Sequence, residues 1–372
     1  MLGLYIHIPF CSKKCYYCDF ASYENLDHLV DSYIDSLLKE LNMYSNEKFN
    51  TVFIGGGTPS YLNESQLEKL LKGIEKNLKN SNIVEYTIEC NPGTLNYNKL
   101  NIMKHYGVDR LSIGLQSANN ETLKFIGRVH LFEDYEKNLN YALDVGFKNI
   151  NTDLIFGISN ETFEDYKNTL NIVSKYNLTH ISAYNLILEE NTKFYTMYKQ
   201  NKFRELDEDL QLEMYKYTKQ FLESKGYYQY EVSNYAKKGK ECLQNLIYWN
   251  FDDYVGVGVG AHSFYKGVRF SNVRKVDEYI KMLENNNHKY IEKHINSLED
   301  NISEFVMVGF RKNMGISVLD FKERFNEDFF QFFKIQIDKY RKKGLIDFKE
   351  DRVFLTSEGF VLMNYVLEEF IL

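Results

Sequence analysis

No run of apolar residues in this 372-residue chain approaches the ~20 that a bilayer-spanning helix needs, so no transmembrane helix is expected. The N-terminus lacks a basic stretch followed by an apolar one, and Cys11 arrives too early for a signal peptide. Cysteine is scarce and odd in number: five residues, three of them within eight positions. That count argues against a disulfide framework and for a reducing, cytoplasmic setting. Positive charge is not in excess. A net charge of −7 and a pI near 5.7 disfavour a general nucleic-acid-binding role. Low-complexity tracts are missing. What remains is an ordinary soluble composition, 44% hydrophobic and 26% charged, with length for one to three domains.

The informative feature lies at the start. Cys11, Cys15 and Cys18 are spaced C-x3-C-x2-C directly after an apolar run, Leu4–Ile8. Three thiolates can hold three irons of a [4Fe–4S] cube, where a closed cluster uses four; one iron stays open to a ligand that is not protein. A structural zinc site normally takes four ligands in pairs. The other cysteines, Cys90 and Cys242, lie far away in sequence and make no such pair.

Further short apolar runs occur at 51–54, 84–89, 110–115, 149–156 and 180–187, each followed by helical spacing. Six β-then-α units predict an α/β fold with a parallel sheet and helices outside. A curled partial barrel and a flat doubly wound sheet both satisfy the pattern. A helix is expected near 208–225, a loop over 231–240 and a glycine-rich segment over 250–270. The chain closes with helices and a hairpin turning at Glu350-Asp351, a winged-helix-like module. Its acidic last helix, with Glu368 and Glu369, favours a structural role.

In parallel α/β folds the C-terminal ends of strands carry the active site. Gly55-Gly56-Gly57-Thr58-Pro59 ends the second strand, and no Lys-Ser/Thr follows, so it is no phosphate-binding P-loop. Glu89, Gln116, Arg128 and Asp153 sit at or just beyond the ends of the third, fourth and fifth strands. A carboxylate and an arginine converging there suit a zwitterion with ammonium and carboxylate groups. Gly256, Gly258 and Ala261 match a dinucleotide fingerprint, but His262-Ser-Phe-Tyr does not open a helix, so a nicotinamide or flavin site is not expected.

Together the cysteine run, the Gly-Gly-Gly-Thr-Pro loop, Arg110-Leu-Ser-Ile-Gly-Leu-Gln-Ser117, Asp153-Leu-Ile-Phe-Gly157 and Gly260-Ala-His-Ser263 resemble the radical S-adenosylmethionine (SAM) superfamily. Within it the chain resembles the oxygen-independent coproporphyrinogen III oxidases and their haem-chaperone relatives over nearly its whole length. The resemblance implies a partial (β/α)6 barrel over 1–235, a connecting segment over 236–299 and the C-terminal module over 300–372. It also implies a [4Fe–4S] cluster on Cys11, Cys15 and Cys18, and SAM contacts from Tyr5, Tyr17, Gly56, Gly57, Thr58, Glu89, Gln116, Arg128 and Asp153. In such proteins the methionyl amine and carboxylate chelate the open iron, and reduction of the cluster cleaves SAM to a 5′-deoxyadenosyl radical.

Two departures separate this chain from the oxidases. They carry a fourth cysteine two residues after the third, where this chain has Phe20, and a substantial segment before the first strand, where only four residues precede Tyr5. The haem-chaperone group carries a His-Asn-x-x-Tyr-Trp motif; here it reads Gln244-Asn245-Leu-Ile-Tyr248-Trp249. Glutamine is a poor iron ligand, and Cys242 is an alternative thiolate. The expectation is a cytoplasmic haem-binding chaperone, with haem as cargo and recipient haem proteins, including membrane-associated respiratory ones, as partners. A homodimer is left open. The alternatives are a radical SAM enzyme acting on a porphyrinogen and a structural iron–sulfur protein.

Overall fold

The computed structural model describes residues 1–372. Six strands, β1 (Gly3–Ile8), β2 (Thr51–Gly56), β3 (Glu85–Cys90), β4 (Arg110–Gln116), β5 (Asn149–Phe156) and β6 (His180–Asn185), lie side by side in chain order and parallel. Between and after them run α1 (Val30–Asn42), α2 (Glu64–Asn77), α3 (Tyr97–His105), α4 (Asn120–Phe125), α5 (Phe132–Val145), α6 (Phe163–Val173), α7 (Lys193–Lys199) and α8 (Glu208–Ser224). Local signals set the helix ends. Asn63 and Gln66 close a capping box on α2, and Gly146, at φ +93°, ends α5 in the left-handed conformation.

The two faces of these strands differ, as the period of two requires. Outward residues such as Ile6, Val52, Ile88, Leu111, Ile150 and Ile181 join Leu37, Leu70, Leu139 and Leu170 of the helices in one core of 54 buried residues. Inward residues are mostly polar. Glu89, Ser112, Asn151 and His180 stand in register across β3 to β6.

The sheet extends beyond the six units at both edges. A hairpin, β7 (Tyr228–Glu231) and β8 (Asn234–Ala236), adds antiparallel to β6. Residues 231–236 are therefore largely strand, not the expected loop. Their polar sequence gives no alternation, and the pairing with β6 is long-range. At the other edge β9 (Tyr254–Val257) lies parallel to β1, followed by antiparallel β10 (His262–Tyr265), β11 (Val268–Ser271) and β12 (Ile291–Ile295). The result is a 12-stranded open sheet with β12 and β7 as edges. Of the dinucleotide-like residues, Gly256 lies within β9 opposite Tyr5, and Gly258, at φ +98°, sits in the turn from β9 to β10. Two helices, α9 (Leu243–Trp249) and α10 (Val276–Glu284), belong to this part.

The C-terminal module comprises α11 (Leu298–Gly309), β13 (Ile316–Ser317), α12 (Val318–Phe325), α13 (Phe329–Phe332), α14 (Lys334–Lys342), β14 (Ile346–Lys349), β15 (Arg352–Leu355), α15 (Ser357–Val361) and α16 (Met363–Leu367). The hairpin turns at Glu350-Asp351, with Glu350 at φ +57°. A second core of 20 buried residues fills it and takes in Phe251 and Phe264 from the preceding segment. The module also hydrogen-bonds the β7–β8 hairpin, Val232 N donating to Arg311 O at 3.0 Å and Asn313 N to Tyr230 O at 3.1 Å.

Flat, six strands would spread the first and last about 24 Å apart, at ~4.8 Å per step. Yet side chains from β1's loop and from β6 line one pocket, and Tyr184 on β6 donates to Gln116 on β4 at 3.1 Å. The sheet is curled. Of the two architectures the pattern allowed, the partial barrel is the one observed.

Candidate functional site

The three cysteines occupy the loop after β1, at the C-terminal mouth of the barrel. The loop is held on both flanks. Cys11 N donates to Tyr23 O at 3.0 Å, Tyr23 N to Pro9 O at 2.8 Å, and Tyr16 N crosses to Ile126 O at 3.0 Å. Each sulfur has a polar neighbour. Cys11 Sγ lies 3.4 Å from Thr58 Oγ1, Cys15 Sγ accepts from Arg128 Nη1 at 3.4 Å, and Cys18 Sγ lies 3.7 Å from Ser22 Oγ. Burial pushes the Cys11 thiol up to about 11; coordination to a metal removes such a proton outright.

The glycine loop supports this arrangement sterically. A Cβ on Gly57 would sit 2.8 Å from Phe10 O, 3.0 Å from Ile8 O and 3.1 Å from Cys11 Sγ. Gly56 N donates to Glu89 Oε2 at 3.0 Å, and a Cβ on Gly55 would meet that same oxygen at 2.8 Å. Only glycine lets this backbone press so close to both neighbours.

Opposite the cysteines stand the charged groups. Burial and the nearby Asp153 carboxylate push Glu89 up to about 8. Asp153 is also raised by burial, against hydrogen bonds from Ser182, Asn151 and Ser112. Arg128 donates to Asn91 Oδ1 at 2.8 Å and to Gly114 O, while its buried Nε has no partner. Gln116 is 5% exposed and held at φ +78°, an uncommon conformation for a residue with a side chain, beside a register shift in β4.

One pocket thus collects Cys11, Cys15, Cys18, Tyr17, Gly56, Gly57, Thr58, Glu89, Gln116, Arg128 and Asp153. Tyr5 is not in its wall; it lies lower on the inward face, 2.9 Å from His7 Nδ1 and stacked on Phe53. Asn91, Ser112 and Tyr184 also line the pocket; Ser112 falls inside the 110–117 motif, but none of the three was expected as a site residue. The signal for Ser112 and Tyr184 was their inward register two and four residues into their strands, which becomes visible once the strand starts are known. Cys90 is 3% exposed and belongs to the main core.

The segment 242–249 lies elsewhere, against the opposite ends of the strands. Helix α9 packs under Gly3, Thr51 and Glu85, the first residues of β1, β2 and β3. Thr51 Oγ1 donates to Gln244 Oε1 at 2.5 Å, and Gln244 Nε2 to the Tyr248 hydroxyl at 2.8 Å. The Glu85 carboxylate accepts from the amides of Leu243 and Gln244 at 3.1 and 3.2 Å and from Cys242 Sγ at 3.5 Å. Cys242 and Gln244 are 2% and 1% exposed. Asn245, Tyr248 and Trp249 are partly buried, with the Arg311 guanidinium 5.5 Å from the Trp249 ring.

Three sulfurs around one cavity, each with a polar neighbour, and an arginine nitrogen left without a partner fit a three-thiolate cluster with a ligand beside it. Known proteins resemble this chain from end to end. The Radical SAM superfamily model matches residues 5–173 and the HemN C-terminal domain model residues 296–362. The heme chaperone HemW of Bacillus subtilis (strain 168) is 36% identical over 376 residues, covering 100% of this chain and 99% of that protein. The heme chaperone HemW of Lactococcus lactis subsp. lactis (strain IL1403) is 36% identical over 368 residues, covering 99% and 97%. Among solved structures, Escherichia coli coproporphyrinogen III oxidase (HemN), described as a radical SAM enzyme, superposes with a TM-score of 0.86 at 25% identity, over 100% of this chain and 90% of that one. The superfamily implies a [4Fe–4S] cluster and SAM. With that cysteine run, that curled sheet and identity sustained from end to end, the chain belongs to the haem chaperone HemW family of the radical SAM superfamily.

Proposed function

We propose that this protein binds haem as cargo and passes it to recipient haem proteins, and that it carries a [4Fe–4S] cluster on Cys11, Cys15 and Cys18 with SAM beside it. The observation that carries the choice of cargo over catalysis is Phe20. It stands where the oxidases have their fourth cysteine and is 63% exposed at the mouth of the pocket. The HemW names of full-length relatives support the same reading.

In this reading Glu89 accepts from the amino group of SAM and Arg128 Nε meets its carboxylate. Tyr17 packs on the adenine, Asp153 accepts from a ribose hydroxyl, and the 55–57 backbone gives the methionyl group room. When bound, the cluster supplies an open iron and an electron. Arg128 ties Cys15 to the Gly114 carbonyl of β4, and the protein's own hydroxyls at Thr58 and Ser22 keep the other two sulfurs oriented. Haem contact is assigned to the Tyr248-Trp249 end of α9, whose side chains are less enclosed than Gln244 and Cys242. The setting is cytoplasmic, and the recipients include membrane-associated respiratory proteins.

Anaerobically reconstituted protein mixed with hemin should show a shifted Soret band and retain hemin stoichiometrically through a desalting column. Incubation with coproporphyrinogen III, SAM and a reductant should yield no protoporphyrinogen. Loss of hemin on the column together with protoporphyrinogen formation would replace the chaperone reading by the oxidase one.

A further inference from the structure

Below the pocket, the barrel interior holds polar groups that the proposed ligands do not touch. Asn151, His180 and Tyr230 are 3%, 1% and 6% exposed. They form an unbroken chain between the two regions described above. Cys242 N donates to the Tyr230 hydroxyl oxygen at 3.2 Å; that hydroxyl lies 2.9 Å from His180 Nε2; His180 Nδ1 lies 2.6 Å from Asn151 Oδ1; and Asn151 Nδ2 donates to Asp153 Oδ1 at 2.7 Å.

Donor chemistry fixes the direction of every link. The Asn151 amide nitrogen faces the Asp153 carboxylate, which accepts, and Ser112 Oγ, whose own proton goes to Asp153, so the amide oxygen is the atom that faces His180. His180 Nδ1 must then carry the ring proton, which leaves Nε2 bare to accept from Tyr230. Burial holds the His180 pKa well below its ordinary value, so the ring stays neutral and keeps that tautomer. Every proton therefore points from the amide of Cys242, the residue that precedes α9, toward the Asp153 carboxylate. Links in such a chain polarise one another, and none can reverse without leaving a buried group unpaired.

We infer that Tyr230, His180 and Asn151 are positioning residues that couple occupancy at Asp153 to the placement of α9, the helix that carries Tyr248 and Trp249. A ligand diol that hydrogen-bonds Asp153 competes with the Asn151 amide, and each donor behind it readjusts back to Cys242. The inference rests on the SAM reading of the pocket. By linkage, haem seated on α9 changes SAM affinity by the same factor as SAM changes haem affinity.

Trp249 is the single tryptophan of the chain, so protein made with 5-fluorotryptophan gives one fluorine resonance from α9. The cluster-reconstituted full chain is titrated anaerobically with SAM while equilibrium dialysis against labelled SAM measures binding separately. SAM should shift the resonance by more than its linewidth in the parent protein. The same shift is expected in Tyr235→Phe, whose buried hydroxyl has no partner. Tyr230→Phe, which removes one hydroxyl from the chain, should bind SAM without the shift; loss of SAM binding with an unchanged circular dichroism spectrum would equally support coupling, because this hydroxyl lies outside the pocket. A parental shift in Tyr230→Phe overturns the inference, as does SAM binding to the parent protein without any shift. Failure of the parent to bind SAM in the dialysis arm overturns the SAM reading itself, and the coupling with it.

Discussion

Arg128 Nη1 donates to Cys15 Sγ at 3.4 Å, joining the loop between α4 and α5 to the cysteine loop across 113 residues of sequence. Hydrogen bonds and positive charge near a cluster sulfur stabilise the reduced, more negative state. Arg128→Gln should therefore retain a cluster and lower its reduction potential by about 60 mV, the one-electron equivalent of ~1.4 kcal/mol, the size of one hydrogen bond to a charged group. Redox titration followed by electron paramagnetic resonance measures it; an unchanged potential would show that the contact does not reach the cluster.

Each cysteine of the loop is indispensable if all three are ligands. Cys11→Ser, Cys15→Ser and Cys18→Ser should each lose the broad visible absorbance of the reconstituted protein. Cys90→Ser should keep it, because Cys90 is buried in the main core. Iron and sulfide analysis of the four variants gives the check, and a SAM-responsive cluster surviving in Cys15→Ser would refute the ligand assignment.

Gly57 is a steric prediction. Its missing side chain leaves room for Phe10 O and Ile8 O, two backbone atoms that cannot swing away, and for Cys11 Sγ. Gly57→Ala should cost about 2 kcal/mol by overpacking and reduce the iron retained after reconstitution. Denaturation midpoints alongside iron content test both halves.

A pH dependence follows from Glu40 on α1. It is fully buried and accepts from Gly258 N at 2.8 Å, Asn272 Nδ2 at 2.8 Å and the Tyr279 hydroxyl at 2.5 Å. Burial raises its pKa from 4.5 to about 7. A carboxyl group whose folded pKa is raised binds its proton more tightly in the folded state, so its contribution is fully present below about 4.5 and is lost as pH rises to about 7. Across that window the loss approaches ~3 kcal/mol. In urea denaturation the stability difference between the parent and Glu40→Gln should therefore move in favour of the variant from pH 5 to pH 8; a difference that stays constant would show Glu40 to be ionised throughout.

The six β/α units were legible because each strand is a short apolar run with its own helix behind it, and local pattern is what such units need. Most of the pocket was legible for the same reason: Gly56, Glu89 and Gln116 lie at the ends of β2, β3 and β4, and parallel strands bring their ends together; Asp153, expected at a strand end, instead stands inside β5, three residues before Phe156. What stayed hidden depends on pairing between distant segments. β8 reads as Asn-Tyr-Ala in a polar stretch and becomes a strand only because β6 is there to receive it. β9 returns from the far side of the chain to lie beside β1. Gln244 stands in the haem-motif position and Cys242 reads as an alternative thiolate, yet Glu85 and Thr51 enclose both from strands more than 150 residues earlier. His180 and Tyr230 carried no motif; only the fold reveals that they stand in line with Asp153.

The central claim is that three thiolates at the barrel mouth leave one iron for SAM. Electron paramagnetic resonance of the reduced, reconstituted protein tests it most directly, with SAM carrying 15N in the amine and 17O in the carboxylate. The expected result is an altered cluster signal on adding SAM, with hyperfine coupling to both labels in the corresponding double-resonance spectrum. A cluster signal that ignores SAM and shows no coupling to either label would contradict it.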